Sequence, residues 1–199
     1  GFATRSSLRP PRAAGWEHLS EWDAAAESAL AVEQAKEKLA APSVTPGKYD
    51  LVIAPSNLWL TIHETVGHPT ELDRALGYEA NFAGTSFCTP DKLDSLQYGS
   101  GIVNLFADRS AEGGLSTVKW DDDGVQTGGK EFPIVKDGVF RNFQMALGQA
   151  ALIGREGGSN GCAYADSFDA FPIQRMPNIS LQPGPDNTTN TGSLIADVE

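Results

Sequence analysis

The stretch NLWLTIHETVGHPTELDRALG, residues 57–77, decides how the chain is interpreted. Its first half carries the apolar residues Leu58, Ile62 and Val66, which recur at every fourth position. This spacing places them on one face of a helix and predicts an amphipathic helix through NLWLTIHETVGH. Pro69 is expected to strain the end of that helix, and ELDRALG either continues it or forms a second short helix.

Two of the three histidines in the chain, His63 and His68, lie in this stretch, and Glu64 follows the first of them. Neutral imidazole is the commonest protein ligand for zinc, and a glutamate beside it can act as general base toward a metal-bound water. The motif therefore predicts a zinc site. The alternative is that both histidines are ordinary helix residues, because short motifs also match by chance.

The two histidines are separated by five positions, HExxxH, rather than by the four of the familiar HExxH helix. Four positions on a regular helix place two side chains about 40° apart, whereas five place them about 140° apart. A π-type turn, with hydrogen bonds from residue i to i+5, would bring the rings back into line. Gly67 and Pro69 both loosen a helix, so we predict a π-bulge or a broken turn at residues 65–68.

A zinc site needs a third protein ligand and an open position for water. The candidates within the chain are Cys162, Cys88, His18, Glu71 and Asp73. Cys162, in the loop SNGCAYAD, is the better of the two thiols, and the two carboxylates could either ligate or support a ligand from behind. Most buried cysteines and exposed carboxylates are not ligands, and the two cysteines are expected to be reduced thiols.

Arg175, in the segment PIQRMPN, is a further candidate site residue. Its guanidinium could bind a carboxylate or a carbonyl of a peptide. It could equally hold a structural ion pair with a carboxylate such as Asp166.

The remaining pattern indicates an α+β fold. Residues 20–41 are rich in Ala, Leu, Glu and Lys and predict a helix with Ser20 as its N-cap. Strand-like segments are YDLVIA (49–54), GIVNLFAD (101–108), LSTVKW (115–120), EFPIVK (131–136) and GVFRNFQM (138–145). Asp137-Gly138 predicts a hairpin turn. We expect the N-terminal helix and the motif helix to pack on a largely antiparallel, β-rich region.

The chain of 199 residues is long enough for one domain with a core. We expect a loose lead-in over residues 1–19, one partial domain over residues 20–184, and a polar tail over residues 185–199. The chain begins with Gly1, and its first methionine is Met145, so we expect a piece of a longer protein.

The net charge of −11 argues against a nucleic-acid-binding surface and against docking on anionic membranes. No run approaches the roughly 20 apolar residues of a membrane span, and GFATRSSLRPPRAAG lacks the apolar core of a secretory signal. The expected location is the cytoplasm. The acidic run WDDDG (120–124) lacks the ligand spacing of a calcium loop and indicates a turn.

Two blocks of the sequence resemble the TldD/PmbA family of metallopeptidases, on its TldD-like, catalytic side. They are IHETVGHPTELDRALGYEANFAGTSF (62–87) and GCAYADSFDAFPIQRMPNISLQPG (161–184). Their order and separation also fit the family, and the TldD branch carries HExxxH, whereas its PmbA/TldE partner lacks it. The resemblance extends over most of the chain from about Gly15, and family members continue on both sides of this region.

The resemblance implies that zinc is held by His63 and His68 and by a cysteine beyond Glu199, a position that Cys162 does not match. It implies Glu64 as general base and acid, and cleavage of unfolded or short peptides. It also implies a heterodimer with a TldE/PmbA-like subunit, with a homo-oligomer as the other assembly. Peptides would bind as an added β-strand, for which the strand-rich segment 99–145 is the expected place.

Two functions remain open at this point. The first is a zinc metallopeptidase acting through the His-Glu-x-x-x-His helix. The alternative is a non-catalytic peptide-binding or scaffold subunit, or an inactive fragment that lacks the third zinc ligand. A nucleic-acid-associated regulator is disfavoured by the charge.

Overall fold

The computed structural model describes residues 14–184 and 189–198 of the chain. Compact structure is divided between a first unit that ends at Val52 and a second unit that runs from Ile53 to Asp197. The α-helices are α1 (Trp16–Ser20), α2 (Ala24–Ala40), α3 (Pro55–Ile62), α4 (Leu72–Ala75), α5 (Gln149–Leu152) and α6 (Thr191–Val198). None of the described helices has the length and apolar character needed to cross a lipid bilayer.

The predicted N-terminal helix forms, but it begins later than the sequence suggested. Asp23 is the N-cap of α2, and its carboxylate accepts a hydrogen bond of 2.9 Å from the backbone N–H of Ala26. Ser20 ends α1 instead, and its hydroxyl donates to the carbonyl of Glu17. Aspartate binds an otherwise unpaired N–H at the start of a helix as well as serine does, so Asp23 can take the N-cap position that we assigned to Ser20.

The two ends of the chain contain short helices where we expected no regular structure. Helix α1 (residues 16–20) overlaps the end of the predicted lead-in, and α6 (residues 191–198) lies within the predicted polar tail. Residues 1–13 of the lead-in and residues 185–188 and 199 of the tail lie outside the described residues.

The described strands form two antiparallel sheets in the second unit, which confirms the α+β class. The larger sheet has the order β3-β2-β1-β6, with β1 at Leu105–Asp108, β2 at Phe132–Lys136, β3 at Val139–Phe140 and β6 at Asn178–Leu181. The smaller sheet pairs β4 (Ala163–Tyr164) with β5 (Ile173–Gln174). Three of these strands, β1, β2 and β3, lie within predicted strand segments.

The hairpin that joins β2 and β3 confirms the predicted turn. Lys136 pairs with Val139, so Asp137 and Gly138 form a two-residue connection. Both residues have positive φ, 52° and 75°. This is the backbone of the turn whose twist matches that of the flanking strands, and Asp-Gly is among the sequences that adopt it at least cost.

Two other predicted strands do not form. Residues 49–54 have no regular secondary structure and pair with no strand among the described residues. In residues 115–120, Trp120 makes a single isolated bridge with Gln126, and the N–H of Ser116 donates to the side chain of Asn178. Strand propensity is realised only when a neighbouring strand offers its hydrogen bonds, and neither segment finds such a neighbour.

The acidic run at residues 120–124 is a structural turn, as its composition indicated. The carboxylate of Asp121 is buried and accepts backbone hydrogen bonds from Asp123, Val125 and Ala163, at 3.1, 2.8 and 3.2 Å. Its oxygens therefore close the loop upon itself and tie it to β4.

The core of the second unit lies between the larger sheet and the segment that follows the HExxxH motif. The strands contribute Leu105, Ala107, Phe132, Ile134, Val135 and Phe140. Val66 and Leu72, on either side of His68, belong to the same cluster of buried side chains. Because burial of large apolar side chains is the main stabilising contribution, the chain around His68 is fixed to the sheet.

Candidate metal site

A π-helical turn carries the histidines, as the five-residue spacing predicted. It occupies His63–Gly67, directly after α3, and the N–H of His68 donates to the carbonyl of His63, which is the i to i+5 pattern. A single 3₁₀ turn, His68–Thr70, follows. The deformation therefore begins two residues earlier than the predicted range 65–68, and it spans the entire interval between the two histidines.

The turn brings the two imidazoles together. Their ring centroids lie 4.6 Å apart with the planes at 89°. Potential ligand atoms of His63, Glu64 and His68 all lie within 4.8 Å of one another, and no other group of three such side chains is this close in the described residues. Two imidazole nitrogens and a carboxylate form a donor set that suits a divalent metal such as zinc.

Exposure at the site leaves room for a small ligand. The side chains of His63 and Glu64 are 40% and 59% exposed, and Nε2 of His63 lies 3.8 Å from Oε1 of Glu64. The side chain of His68 is 28% exposed. Because the three side chains are partly exposed, water and a small molecule can reach the carboxylate and both imidazoles.

A π turn leaves carbonyls without their usual helical partners, and two buried polar side chains bind them. The hydroxyl of Thr70 donates to the carbonyl of Val66 at 2.7 Å, and Nε2 of Gln144 donates to that of Gly67 at 2.5 Å. Nε2 of Gln144 also lies 2.8 Å from the hydroxyl of Thr70. Buried carbonyls need such partners, so these side chains stabilise the deformed turn.

Tyr98 also contacts the π turn. Its hydroxyl donates to the carbonyl of Thr65, and burial, together with Cys88, raises the pKa of its phenol. Neither Tyr98 nor Gln144 was predicted, because both lie far from the motif in sequence and carry no local signal.

Gly67 serves the turn in a way that the sequence did not indicate. Its φ of −54° is ordinary for a helix, so the position does not need the conformational freedom of glycine. A Cβ atom there would lie 2.2 Å from Sδ of Met176. The glycine therefore allows the side chain of Met176 to approach the π turn closely.

Glu71 lies behind His68 rather than beside it in the metal group. Its Oε2 is 3.0 Å from Nδ1 of His68 and 3.3 Å from Nε of Arg74, and its side chain has no exposed area. Burial raises the pKa of this carboxyl, while the hydrogen bond with His68 and the charges of His68 and Arg74 oppose the rise. Glu71 therefore contacts the imidazole of His68 and lies outside the group of His63, Glu64 and His68.

The ion pairs continue from Arg74 to Arg175. Glu79 lies between them, with Oε2 at 3.2 Å from Nη2 of Arg74 and Oε1 at 3.1 Å from Nη1 of Arg175. Arg175 therefore forms a structural ion pair, but with Glu79 and not with Asp166. Glu79 was not predicted as a partner, since 96 positions separate it from Arg175.

The other candidate ligands lie outside the three-residue group. Asp73 accepts a hydrogen bond from Gln149, and burial raises its pKa. Cys162 and Cys88 are free and fully buried, and burial raises their pKa values to about 12 and about 11. His18 belongs to α1 of the first unit. None of these four residues is in the group formed by His63, Glu64 and His68.

Comparison with known proteins identifies the region. Residues 46–199 match the family model described as PmbA/TldA metallopeptidase C-terminal domain. A metalloprotease of Methanocaldococcus jannaschii is 31% identical over 69% of the chain, and a zinc metalloprotease TldD homologue of Saccharolobus solfataricus is 29% identical over the same share. The chain spans 28% of the length of each of these relatives.

Among solved structures, TldE from Thermococcus kodakarensis superposes with a TM-score of 0.54 at 18% sequence identity. The match covers 85% of this chain and 36% of that one. At this identity the likeness concerns the fold alone. The family model, in contrast, matches residues 46–199, which is most of the chain. The chain belongs to the TldD/PmbA family of metallopeptidases.

Proposed function

We propose that the chain is the metal-binding part of a zinc peptidase that cleaves unfolded or short peptides. In this proposal His63 and His68 bind the metal, and Glu64 is the general base and acid. The observation that supports it is the π turn, which places both imidazoles and the carboxylate of Glu64 within 4.8 Å of one another. π turns are rare and are frequent at functional sites, so packing alone does not account for this one.

The donor set fits zinc in kind but supplies only part of a site. Zinc would polarise the scissile carbonyl and lower the pKa of the attacking water. Two histidines match the ligands of catalytic zinc sites, which have three protein ligands. The third would come from the longer protein, in keeping with the 28% of each relative that this chain spans. The relative from Saccharolobus solfataricus, named a zinc metalloprotease, supports the choice of metal.

Glu64 performs the proton transfers in this mechanism. Its exposed carboxylate accepts a proton from the attacking water and delivers it to the nitrogen of the leaving amine. His68 keeps its orientation through Glu71, so the position of one ligand is independent of the substrate. His63 is the second metal ligand in this proposal, and its ring lies 4.6 Å from that of His68.

An extended peptide is the substrate class that we propose, bound by strand addition. We expected the peptide to add in segment 99–145, which contains β3, but the outer edge of β3 is already paired. The N–H of Asp94 donates to the carbonyl of Phe140, and the N–H of Phe140 donates to the carbonyl of Leu96. The other edge of the larger sheet is β6 (Asn178–Leu181). We therefore propose β6 as the strand that a peptide would pair with in this sheet.

The partner in this proposal is a TldE/PmbA-like subunit. The likeness to TldE of Thermococcus kodakarensis supports it, because subunits of one fold can assemble as pseudo-symmetric pairs. A homo-oligomer is the other assembly that the same fold would permit.

Substitution of Glu64 tests the catalytic role. Glu64→Gln should lower cleavage of an unfolded peptide at least about 100-fold, because it removes the general base, while zinc content stays unchanged. His63→Ala and His68→Ala should lose zinc as well as activity. The exposed Glu131 gives a matched control, since Glu131→Gln alters a carboxylate outside the site. Cleavage by Glu64→Gln at the wild-type rate would falsify the mechanism.

A non-catalytic peptide-binding subunit remains the second candidate. It is favoured by the position of the two thiols, both of which lie outside the group of His63, Glu64 and His68. This function predicts that the wild-type protein binds unfolded peptide but holds no zinc and cleaves nothing. Metal analysis of the full-length protein separates the two candidates.

A further inference from the structure

We propose that the ion-pair chain Glu71–Arg74–Glu79–Arg175 positions His68 for metal binding, so that metal affinity depends on residues far from the motif. The proposal rests on the proposed function in taking His68 as a ligand. Its members are joined by contacts of 3.3, 3.2 and 3.1 Å in that order. The first of them touches the imidazole at 3.0 Å.

The contact between His68 and Glu71 selects one orientation of the ring. In its ionised form the carboxylate of Glu71 can only accept, so in this proposal Nδ1 carries the proton that is shared with Oε2 of Glu71. Nε2 is then left as the unprotonated nitrogen, which is the form that binds a metal. Nη2 of Arg74 also lies 3.3 Å from Nδ1, but two donors cannot share a hydrogen bond, and the shorter contact to the carboxylate decides the arrangement.

The position of Glu71 depends in turn on Arg74. Glu71 is fully buried, and its other oxygen, Oε1, has no partner, so the contacts of Oε2 hold the carboxylate in place. Arg74 is itself held, because its Nη1 donates to the carbonyl of Ala83 at 2.5 Å. A guanidinium with several fixed partners restricts the carboxylate more tightly than a solvated cation would.

Glu79 connects the ion pairs to Arg175 in the second sequence block, residues 161–184. Its side chain is 11% exposed and contacts Arg74 with one oxygen and Arg175 with the other. The backbone of Arg175 is fixed as well, because its N–H donates to the carbonyl of Cys162 at 2.7 Å. Removal of Glu79 would leave two cations facing each other without their shared anion, and Arg74 would be displaced.

The two histidines differ in this respect. His63 has no comparable buried partner in the described residues, and its charged neighbour is the exposed Glu64 at 3.8 Å. His68 therefore supplies the fixed nitrogen of the pair. Preorganisation of a ligand contributes to affinity because less freedom is lost when the metal binds.

Zinc titration of the full-length protein against a chromophoric chelator tests the proposal. Glu71→Gln should weaken zinc binding about 10- to 100-fold, and Glu79→Gln and Arg175→Gln should weaken it less, about 3- to 10-fold. Asp94→Asn is the matched control, since it breaks exposed ion pairs with Arg141 and Arg155. Its zinc affinity should equal that of the wild type. If Glu71→Gln and Glu79→Gln both fold and bind zinc within twofold of the wild-type affinity, the ion-pair chain does not position His68.

A second measurement needs neither zinc nor activity. Proton–nitrogen NMR of the metal-free wild-type protein should show His68 as the tautomer protonated at Nδ1, and the same signal should lose this preference in Glu79→Gln. Protonation at Nε2 in the wild type would overturn the proposal. Failure of the proposed function gives a different result, in which the wild type binds no zinc while the Nδ1 tautomer is still observed. If Glu71→Gln does not fold, the proposal is still tested by the His68 tautomer of the wild type and by the zinc affinities of Glu79→Gln and Arg175→Gln.

Discussion

The segments on either side of the histidine pair differ in a way that their sequences do not suggest. Before the pair, α3 is apolar, yet none of its residues is buried, and Trp59 and Leu60 are 61% and 43% exposed. After the pair, residues 70–72 include a threonine and a glutamate, and all three have no exposed area. The polar segment is in the core, and the apolar one is on the surface of the described structure.

This difference shows which part of the site is fixed. The segment after His63 is held by core contacts, by Gln144 and by Glu71, whereas α3 meets the rest of the unit through fewer buried groups. We therefore expect His68 to lie in the more rigid segment and the helix that precedes His63 to open more easily. Local stability in proteins commonly varies in this way, with the binding side at the lower end.

The strongest test of the comparison uses the same substitution on both sides. Leu72→Ala should lower the free energy of unfolding by about 2–5 kcal/mol, because Leu72 is completely buried and its removal leaves a cavity. Leu60→Ala should lower it by less than about 1 kcal/mol, because much of that side chain already contacts solvent. Urea unfolding measures both. Equal losses would mean that α3 is as well supported as the segment after the pair.

A smaller effect is expected from Gln144→Leu. The substitution removes the donor to Gly67 and leaves a buried carbonyl unpaired, which should cost about 1–3 kcal/mol. Part of this cost is offset, because Oε1 of Gln144 has no partner and its desolvation is relieved. Gln126→Leu, at an exposed position, should stay within about 0.5 kcal/mol of the wild type by the same unfolding measurement. A loss no greater than that of the control would show that the π turn needs no support from Gln144.

The last prediction concerns hydrogen exchange in the wild-type protein and needs no substitution. In native hydrogen exchange, the amides of Trp59 and Leu60 should exchange at least about tenfold faster than that of Leu72. The N–H of Leu72 donates to the carbonyl of Gln144 in another part of the unit, so it is released only when the core opens. Comparable protection in α3 and at Leu72 would contradict the division into a fixed and a mobile side.

Local sequence was sufficient for the features that depend on spacing. The five-residue interval between the histidines predicted the π turn, and Asp137-Gly138 predicted the hairpin, because each is determined by backbone geometry over a few residues. Glu71 was among the candidates because it comes just after His68, and in the structure it contacts the imidazole from the i+3 position.

Features that depend on distant partners could not be found in the same way. Gln144 and Glu79 contact the site through folding of the chain, and neither has a neighbouring residue that marks it. Residues 49–54 have the composition of a strand but pair with nothing among the described residues. The contact of Gly67 with Met176 could not be predicted either, because the two residues are more than 100 positions apart in the sequence.

The π turn also bears on how related sites can be recognised. One additional residue between two histidines is absorbed by one wider helical turn, so that the rings still meet at 4.6 Å. Deleting one residue from the interval would restore the familiar spacing, but it would rotate everything that follows by about 100° and withdraw Leu72 from the core. The longer interval is thus tied to the orientation of the following segment, and a search pattern that requires the second histidine exactly four positions after the first would miss the pair.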